Sequence, residues 1–376
     1  KSIEKKQVLL SMEITNIEMI SFRNHNKKNI SFNAGLTIIW GENGSGKTSI
    51  LEAIHSLSLG KSFRTNNKKE LIKKGKENFF LRGFFTNDNG VNNTVSFFQG
   101  ASGNKKIKIN EKNILKRKEL LGVNNVVVFS PNEETITKGP PKERRLFFDR
   151  VFSICSAKYL DLLLSYNRTI KQRNTILKNK RKEIEKELNI WNQPLSLVGQ
   201  ALWIKRSVLV KEFSREFNAI VKKLDKDLKL KITYKEKEGT EKEFLDKTQK
   251  NTNLDLKNGF TSYGPHKDDM VFLWKDKTIR KHGSQGEHKL FLAVLKITEL
   301  VFMSNKTKRL PIFLIDDLFS SLDKEKSKKL LRFVETFQAG KKTPPQTIIT
   351  TTDLLDLEQK GFFQGFNNIK KHHLKK

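Results

Sequence analysis

The chain of 376 residues sets 73 lysines and arginines against 41 aspartates and glutamates, a formal charge of +32, with 36% apolar residues and a single cysteine. Such a length can bury a sizeable core in two or three domains, and no apolar run approaches the roughly 18 residues of a membrane span, while Cys155 alone excludes an internal disulfide and a cysteine-ligated zinc site, as suits a reducing cytosol. The charge calls for a polyanionic partner, nucleic acid before a lipid surface, although a general bias towards Lys, Asn, Ile and Phe accounts for part of it.

Val8, Leu9 and Leu10 make too short an apolar core for a secretory signal, and because Met12 opens the first well-patterned segment, residues 1–11 read as an upstream extension. Over 12–40, alternation at Ile14, Ile17 and Met19, then at Ile30 and Phe32, predicts paired strands that deliver the chain to a glycine-rich turn. Gly41, Glu42, Asn43, Gly44, Ser45, Gly46, Lys47 and Thr48 fit the phosphate-binding pattern G-x-x-x-x-G-K-[ST] between an apolar strand and an apolar helix. The glycines let backbone N–H groups wrap a phosphate chain, the helix N-terminus faces the same anion, Lys47 neutralises β/γ-phosphate charge and the Thr48 hydroxyl suits Mg²⁺. A turn at 60–65 carries Arg64. Short alternating segments over 77–110 predict an antiparallel meander with a turn at Asn87-Asp88-Asn89-Gly90.

Val126 to Phe129 reads as a buried strand, and Pro140-Pro141 as a helix start with a charged face at Glu143, Arg144, Arg145, Asp149 and Arg150. From Leu163, apolar residues fall seven apart at Ile170, Leu177, Ile184 and Trp191, predicting one long helix. Asn167, Asn174 and Arg181 spoil the companion seam of a strong coiled coil. Its polar face carries Arg168, Lys171, Arg173, Lys178, Lys180, Arg181, Lys182 and Lys186, a candidate DNA surface. A turn at Asn192-Gln193-Pro194 and a second amphipathic helix over 195–224 complete a predicted helical hairpin. A strand at 228–234 and a polar linker over 235–257 follow, and the tail over 370–376 reads as solvated.

Ile312 to Ile315 is a continuous apolar run ending in Asp316-Asp317, the pattern of a buried parallel strand with carboxylates at its carboxyl end. Asp316 would reach a metal and Asp317 would orient or deprotonate an attacking water. Asp316 lies 269 residues beyond Lys47, so a separate domain must be inserted between the two halves of the site. Ser284-Gln285-Gly286-Glu287 has capping-box spacing ahead of an apolar helix over 290–303; that is a helix start, and also a pattern able to hold a γ-phosphate.

These residues together resemble the RecF family of bacterial repair ATPases, relatives of the ABC-type heads of Rad50 and SMC proteins. The resemblance rests on GENGSGKTSILEAIHSLSLGKSFRT, FSPNEETITKGPPKERRLFFD, YGPHKDD, SQGEHKL and FLIDDLFSSLD, in this order across almost the whole chain. It implies an α/β, ABC-ATPase-type head with an antiparallel β lobe, built from 12–130 and 258–369, with an inserted helical arm over 131–257 and a basic tail over 370–376. Two copies would close on ATP and Mg²⁺ as an ATP-dependent homodimer. Each would present Ser284, Gln285 and Gly286 to the partner's phosphate loop, beside a crossing loop of Ser321, Leu322 and Asp323, with Arg64 near nucleotide or DNA.

The family further implies binding at single-strand/double-strand junctions of gapped DNA in the bacterial cytoplasm, at the nucleoid. There it acts with RecR and RecO to let RecA replace single-strand binding protein. Asp317 stands where most ABC-type ATPases have Glu, which implies slow, switch-like hydrolysis; Thr350, Thr351, Thr352 and Asp353 replace the usual switch histidine, and His288 replaces a more frequent Gln. The role of His266 in GPHKDD stays open between a structural turn and catalysis. An ABC transporter subunit is disfavoured by the wide spacing of Lys47 and Asp316, a long-range tether by helices reaching only about 40 Å, and a nuclease by the lack of a second acidic or histidine cluster.

Overall fold

A computed structural model describes residues 10–87, 90–179, 184–235, 239–317, 345–359 and 368–375. The chain forms two compact units, one of residues 1–134 with 285–376 and the other of 135–284.

In the first unit β1 (Leu10–Phe22), β2 (His25–Ser31), β3 (Leu36–Gly41) and α1 (Lys47–Leu59) lead into the hairpin strands β4 (Asn78–Asn87), β5 (Asn92–Gly100), β6 (Lys105–Ile109) and β7 (Lys112–Asn113), then β8 (Val126–Phe129). The second unit holds α2 (Thr135–Lys138), α3 (Pro141–Cys155), α4 (Ala157–Lys178), α5 (Ile184–Leu224), β9 (Leu230–Tyr234), α6 (Glu241–Lys250), α7 (Thr252–Asn258), β10 (Met270–Trp274), β11 (Lys277–Thr278) and α8 (Ile279–His282). The chain returns to the first unit with α9 (Gln285–Thr307), β12 (Arg309–Leu310), β13 (Ile312–Asp316), β14 (Thr347–Thr351), α10 (Leu354–Gln359) and β15 (Ile369–Leu374).

Among the described residues, the first unit has two sheets. The predicted meander is present: β1, β4, β5, β6 and β7 pair antiparallel in sequence, with β2 also on β1. A bulge between Ile14 and Asn16 breaks β1, and there the buried Gln346 amide accepts from Ile14 N and donates to Ile14 O, both at 2.8 Å, replacing a strand partner. The second sheet is parallel, ordered β15-β3-β14-β13-β8. Its runs Ile312–Asp316 and Val126–Phe129 are buried at every position, as parallel strands covered on both faces must be. Helix α1 touches strands of both sheets and is buried at 12 of its 13 positions, which explains why its apolar pattern is not one-sided.

Four expectations fail. The tail is ordered in part: Lys370 to Leu374 form most of β15, parallel to β3, because Leu374 is buried, His373 stacks on Trp40 with ring centroids 3.9 Å apart, and His372 and Lys370 bond to Ser31. Pro194 lies inside α5 rather than in a turn, and the break between the hairpin arms falls before Ile184. Proline costs α5 one backbone bond, but Pro194 faces water, where the freed carbonyl can be hydrated. The polar linker contains α6 and α7; Thr240 and Glu243 form a capping box that starts α6. Finally, residues 258–284 join the second unit, because β10 pairs antiparallel with β9 along its whole length.

The seven-residue period of the hairpin is real, but its register differs. Tyr159, Tyr166 and Arg173 of α4 face Arg206, Gly199 and Asn192 of α5, an antiparallel ladder in steps of seven. A Cβ on Gly199 would lie 2.6 Å from Phe244, so glycine is needed for that approach. Arg173 is therefore fully buried, paired with Asp255 at 2.6 Å and Thr261 at 2.8 Å, and is no part of a basic face. Arg206 is equally buried, against Asp268 at 2.8 Å and Asp149 at 3.0 Å. Removing one partner of such a pair strands a buried charge, at a cost of about 3–5 kcal/mol.

His266 belongs to this interior. One ring nitrogen meets Thr261 O at 2.8 Å and the other Tyr166 OH at 2.7 Å, an arrangement that a neutral ring satisfies completely. Burial is the main cause that lowers its pKa from 6.5 to about 4. The unfolded chain thus takes up the proton first, so this contribution to stability is complete above pH 6.5 and declines as pH falls towards 4, by at most about 3 kcal/mol. Urea unfolding between pH 7 and 4 should show that decline, and His266→Gln should be less stable at pH 7 and show a flatter dependence.

Candidate functional site

The parallel sheet sets the site. Pairing of β3 with β14 and of β14 with β13 aligns Thr351 with Trp40 and Thr350 with Asp316, so the phosphate loop and the acidic pair leave the same edge. Ligands of open α/β sheets bind at this carboxyl edge. Here the Thr48 hydroxyl donates to Asp316 Oδ1 at 2.8 Å across 268 residues of sequence, and Thr350 Oγ1 donates to the same oxygen at 2.7 Å. Asp316 is only 4% exposed.

The loop has the backbone that its glycines allow: φ is +151° at Gly41, +84° at Gly44 and +95° at Gly46. A Cβ at Gly41 would lie 2.3 Å from Leu374 O, and one at Gly46 2.4 Å from His25 Nε2. Gly46 precedes α1 with no side chain capping the helix, so its first N–H groups are open to an anion. Among the described residues, Ser45 Oγ is buried without a hydrogen-bond partner, a donor the loop itself leaves unmatched. Lys47 Nζ donates to Gly41 O at 2.8 Å and Glu42 O at 2.9 Å. Burial lowers its pKa, opposed by Asp317 and then Asp316. These features fit a phosphate chain in the loop and a divalent cation between Thr48 and Asp316.

Asp317 follows with φ +41°, a left-handed conformation unusual for aspartate, held by its N–H donating to Thr350 O at 3.1 Å. Its pKa is raised, mainly by burial and also by Asp316, with Lys47 acting the other way.

Sequence reasoning missed the groups that brace the loop from the β1–β2 turn. Asn24 Nδ2 donates to Gly44 O at 3.1 Å, and His25 Nε2 sits 3.1 Å from Gly46 O. Arg23 grips the fully buried Glu52 of α1 through Nε at 2.7 Å and Nη2 at 2.6 Å. Arg64 joins the same carboxylate at 3.5 Å, on α1. A turn reading FRNH offered no periodicity to mark these roles.

Ser284 and Gln285 are exposed where α9 begins, and neither Gln285 nor Gly286 hydrogen-bonds to the phosphate loop; His288 is buried. Among the candidate DNA residues Arg168, Lys171 and Lys178 are exposed, whereas Lys180, Arg181 and Lys182 lie outside the described residues, as do Ser321, Leu322 and Asp323 and the turn residues Asp88 and Asn89. No described helix is long and apolar enough to cross a membrane.

Comparison with known proteins agrees with this geometry. Residues 13–361 match the RecF/RecN/SMC N terminal domain. The chain is 34% identical over 337 residues to the DNA replication and repair protein RecF of Clostridioides difficile, covering 87% of this chain and 90% of that one. It is 35% identical over 347 residues to that of Leptospira interrogans serovar Lai, covering 91% and 92%. Among solved structures, the recombination mediator protein RecF-ATP in the RecFOR pathway superposes with a TM-score of 0.85 at 29% identity, covering 98% of this chain and 97% of that one. The Smc head of Pyrococcus furiosus bound to ScpA, at 17% identity and a TM-score of 0.56 over 97% and 94%, shares the fold.

The bracing turn can be tested by nucleotide titration. Asn24→Ala and His25→Ala should each raise the Kd for ATP about fivefold, as expected for a hydrogen bond of about 1 kcal/mol, with little change in the melting temperature.

Proposed function

This chain belongs to the RecF family, within the wider group of RecF, RecN and SMC heads, and from that premise we propose that it is an ATP-dependent DNA-binding protein of replication and recombinational repair. The observation that carries this reading is the meeting of Thr48 and Asp316 at 2.8 Å, a nucleotide site assembled from both ends of the chain. Lys47 and the loop N–H groups would bind the triphosphate, and Thr48 and Asp316 would hold Mg²⁺, whose chemistry there would be charge neutralisation of the phosphates. Asp317 orients or deprotonates the attacking water. As a carboxylate one methylene shorter than the usual Glu it reaches less well, so hydrolysis is slow and serves as a switch.

In this reading two copies close face to face on ATP. Ser284, Gln285 and Gly286 of each copy complete the partner's site beside Ser321, Leu322 and Asp323. The closed dimer holds DNA at the junctions of gaps and acts with RecR and RecO to promote RecA loading against single-strand binding protein. Similarity to the structure of RecF-ATP in the RecFOR pathway supports the pathway, and the charge of +32 supports a polyanionic partner bound mainly through phosphates. The site of action is the bacterial cytoplasm, at the nucleoid.

Sedimentation with and without ATP and gapped duplex tests the switch. Wild type should dimerise with ATP and carry DNA, and Lys47→Ala should do neither; an ATP-independent monomer that ignores DNA defeats the reading. In steady-state assays Asp317→Glu should raise ATP turnover about tenfold, as a better-placed base allows, while leaving the Kd for ATP unchanged.

A further inference from the structure

Helix α5 has a second apolar face, on the side away from the hairpin seam. Leu188, Asn192, Leu195, Gly199, Leu202 and Arg206 are buried, in the register that meets α4. Each is followed two positions later, about 200° round the helix, by a residue of the opposite face: Ile190, Pro194, Leu197, Ala201, Ile204 and Val208. All six are apolar. Ile190, Leu197, Ile204 and Val208 are 71%, 56%, 58% and 45% exposed, Pro194 is exposed and Ala201 half-buried. Single exposed apolar side chains are ordinary on a protein surface, whereas an unbroken row from 190 to 208, about 27 Å of helix, has the pattern of a seam between two helices.

The spacing identifies what fits this row. Its steps of 4, 3, 4, 3 and 4 residues read the same in both directions, so the row complements itself when a second α5 lies antiparallel on it. That self-complementarity is what a two-fold interface between copies requires, and an unrelated helix has no need of it. In this register Ile190 meets Val208 of the second copy, Ile204 meets Pro194 and Leu197 meets Ala201, so each layer sets a larger side chain against a more compact one. Beyond the two ends, Glu187 meets Lys211 of the second copy and Lys186 meets Glu212. Lys186, Lys211 and Glu212 already have partners in their own chain, and the register requires only that like charges do not meet. The overall charge of +32 opposes the approach, but at physiological salt it is screened beyond about 8 Å.

We propose that the outer face of α5 is a two-fold contact between copies of this chain, separate from any nucleotide-driven closure. One helix face makes a small interface, so the contact is weak and acts where copies are already concentrated. A chain with two different two-fold contacts links closed dimers to one another; that consequence rests on the ATP-driven dimer proposed above, and the α5 contact does not.

The test is sedimentation equilibrium of the full chain without nucleotide. Wild type should pass from monomer towards dimer between about 1 and 200 μM, the range of a small interface. Leu197→Asp/Ile204→Asp, at two exposed positions, should associate at least about tenfold more weakly, as charges placed at the centre of an interface dictate, with an unchanged melting temperature. Disulfide trapping in a Cys155→Ser background reads the register. Ile190→Cys and Val208→Cys proteins should cross-link when mixed and neither with itself, because an antiparallel pair holds the two 190 positions about 27 Å apart. Wild type that stays monomeric over the whole range assigns the face to a different protein and overturns the proposal. Undiminished association of the Asp variant, or self-cross-linking of Ile190→Cys, overturns it equally. With ATP at about 1 μM, where a contact this weak is open, the Asp variant should dimerise as wild type does. Loss of that dimer in the variant alone overturns a separate contact, whereas its absence from both proteins defeats the ATP switch and leaves the α5 contact standing.

Discussion

One hydrogen bond summarises the constraint on which the first unit depends. Thr48 Oγ1 reaches Asp316 Oδ1 only because β3, β14 and β13 run parallel and in register, so that a loop near the start of the chain and a carboxylate near its end leave one sheet edge together. Parallel strands require long crossovers, and the crossover between β8 and β13 is long enough to contain the whole second unit. The insertion is thus tolerated by the same topology that assembles the site. The sheet also recruits β15, whose Leu374 carbonyl closes against Gly41 and leaves no room for a side chain there.

Around this edge polar side chains hold backbone. Asn24 and His25 engage carbonyls of the phosphate loop, and Gln346 completes the bulge in β1. The carboxyl end of α1, which has no basic residue in its last turn, is served from other segments: Arg117 donates to Leu59 O at 2.7 Å and Lys105 to Gly60 O at 3.1 Å. Burial lowers the pKa of both Arg117 and Lys105, the cost of placing cations at a helix end that favours them.

The second unit solves a different problem. Its two long helices meet through Tyr159, Tyr166, Arg173, Asn192 and Arg206 as much as through leucine, so the seam is a polar ladder that needs every partner in place. Asp255, Asp268 and His266 come from segments well beyond the hairpin, and GPHKDD acts as an internal support for the helices.

Local chemistry made much of this legible before the fold was known. Glycines at three required backbone conformations, an apolar run ending in two aspartates and alternation in the meander each state their structure through near neighbours, as did the seven-residue period of the hairpin. Tertiary structure decided what depends on distant partners. A basic tail became a strand because Trp40 and Ser31 were waiting for it; Arg173 left the surface because Asp255 lies beside it; Pro194 stayed helical on an exposed position of α5. Which stripe of a helix is inside, and which cation is already paired, is set by residues tens of positions away on other elements, and no local pattern carries that information.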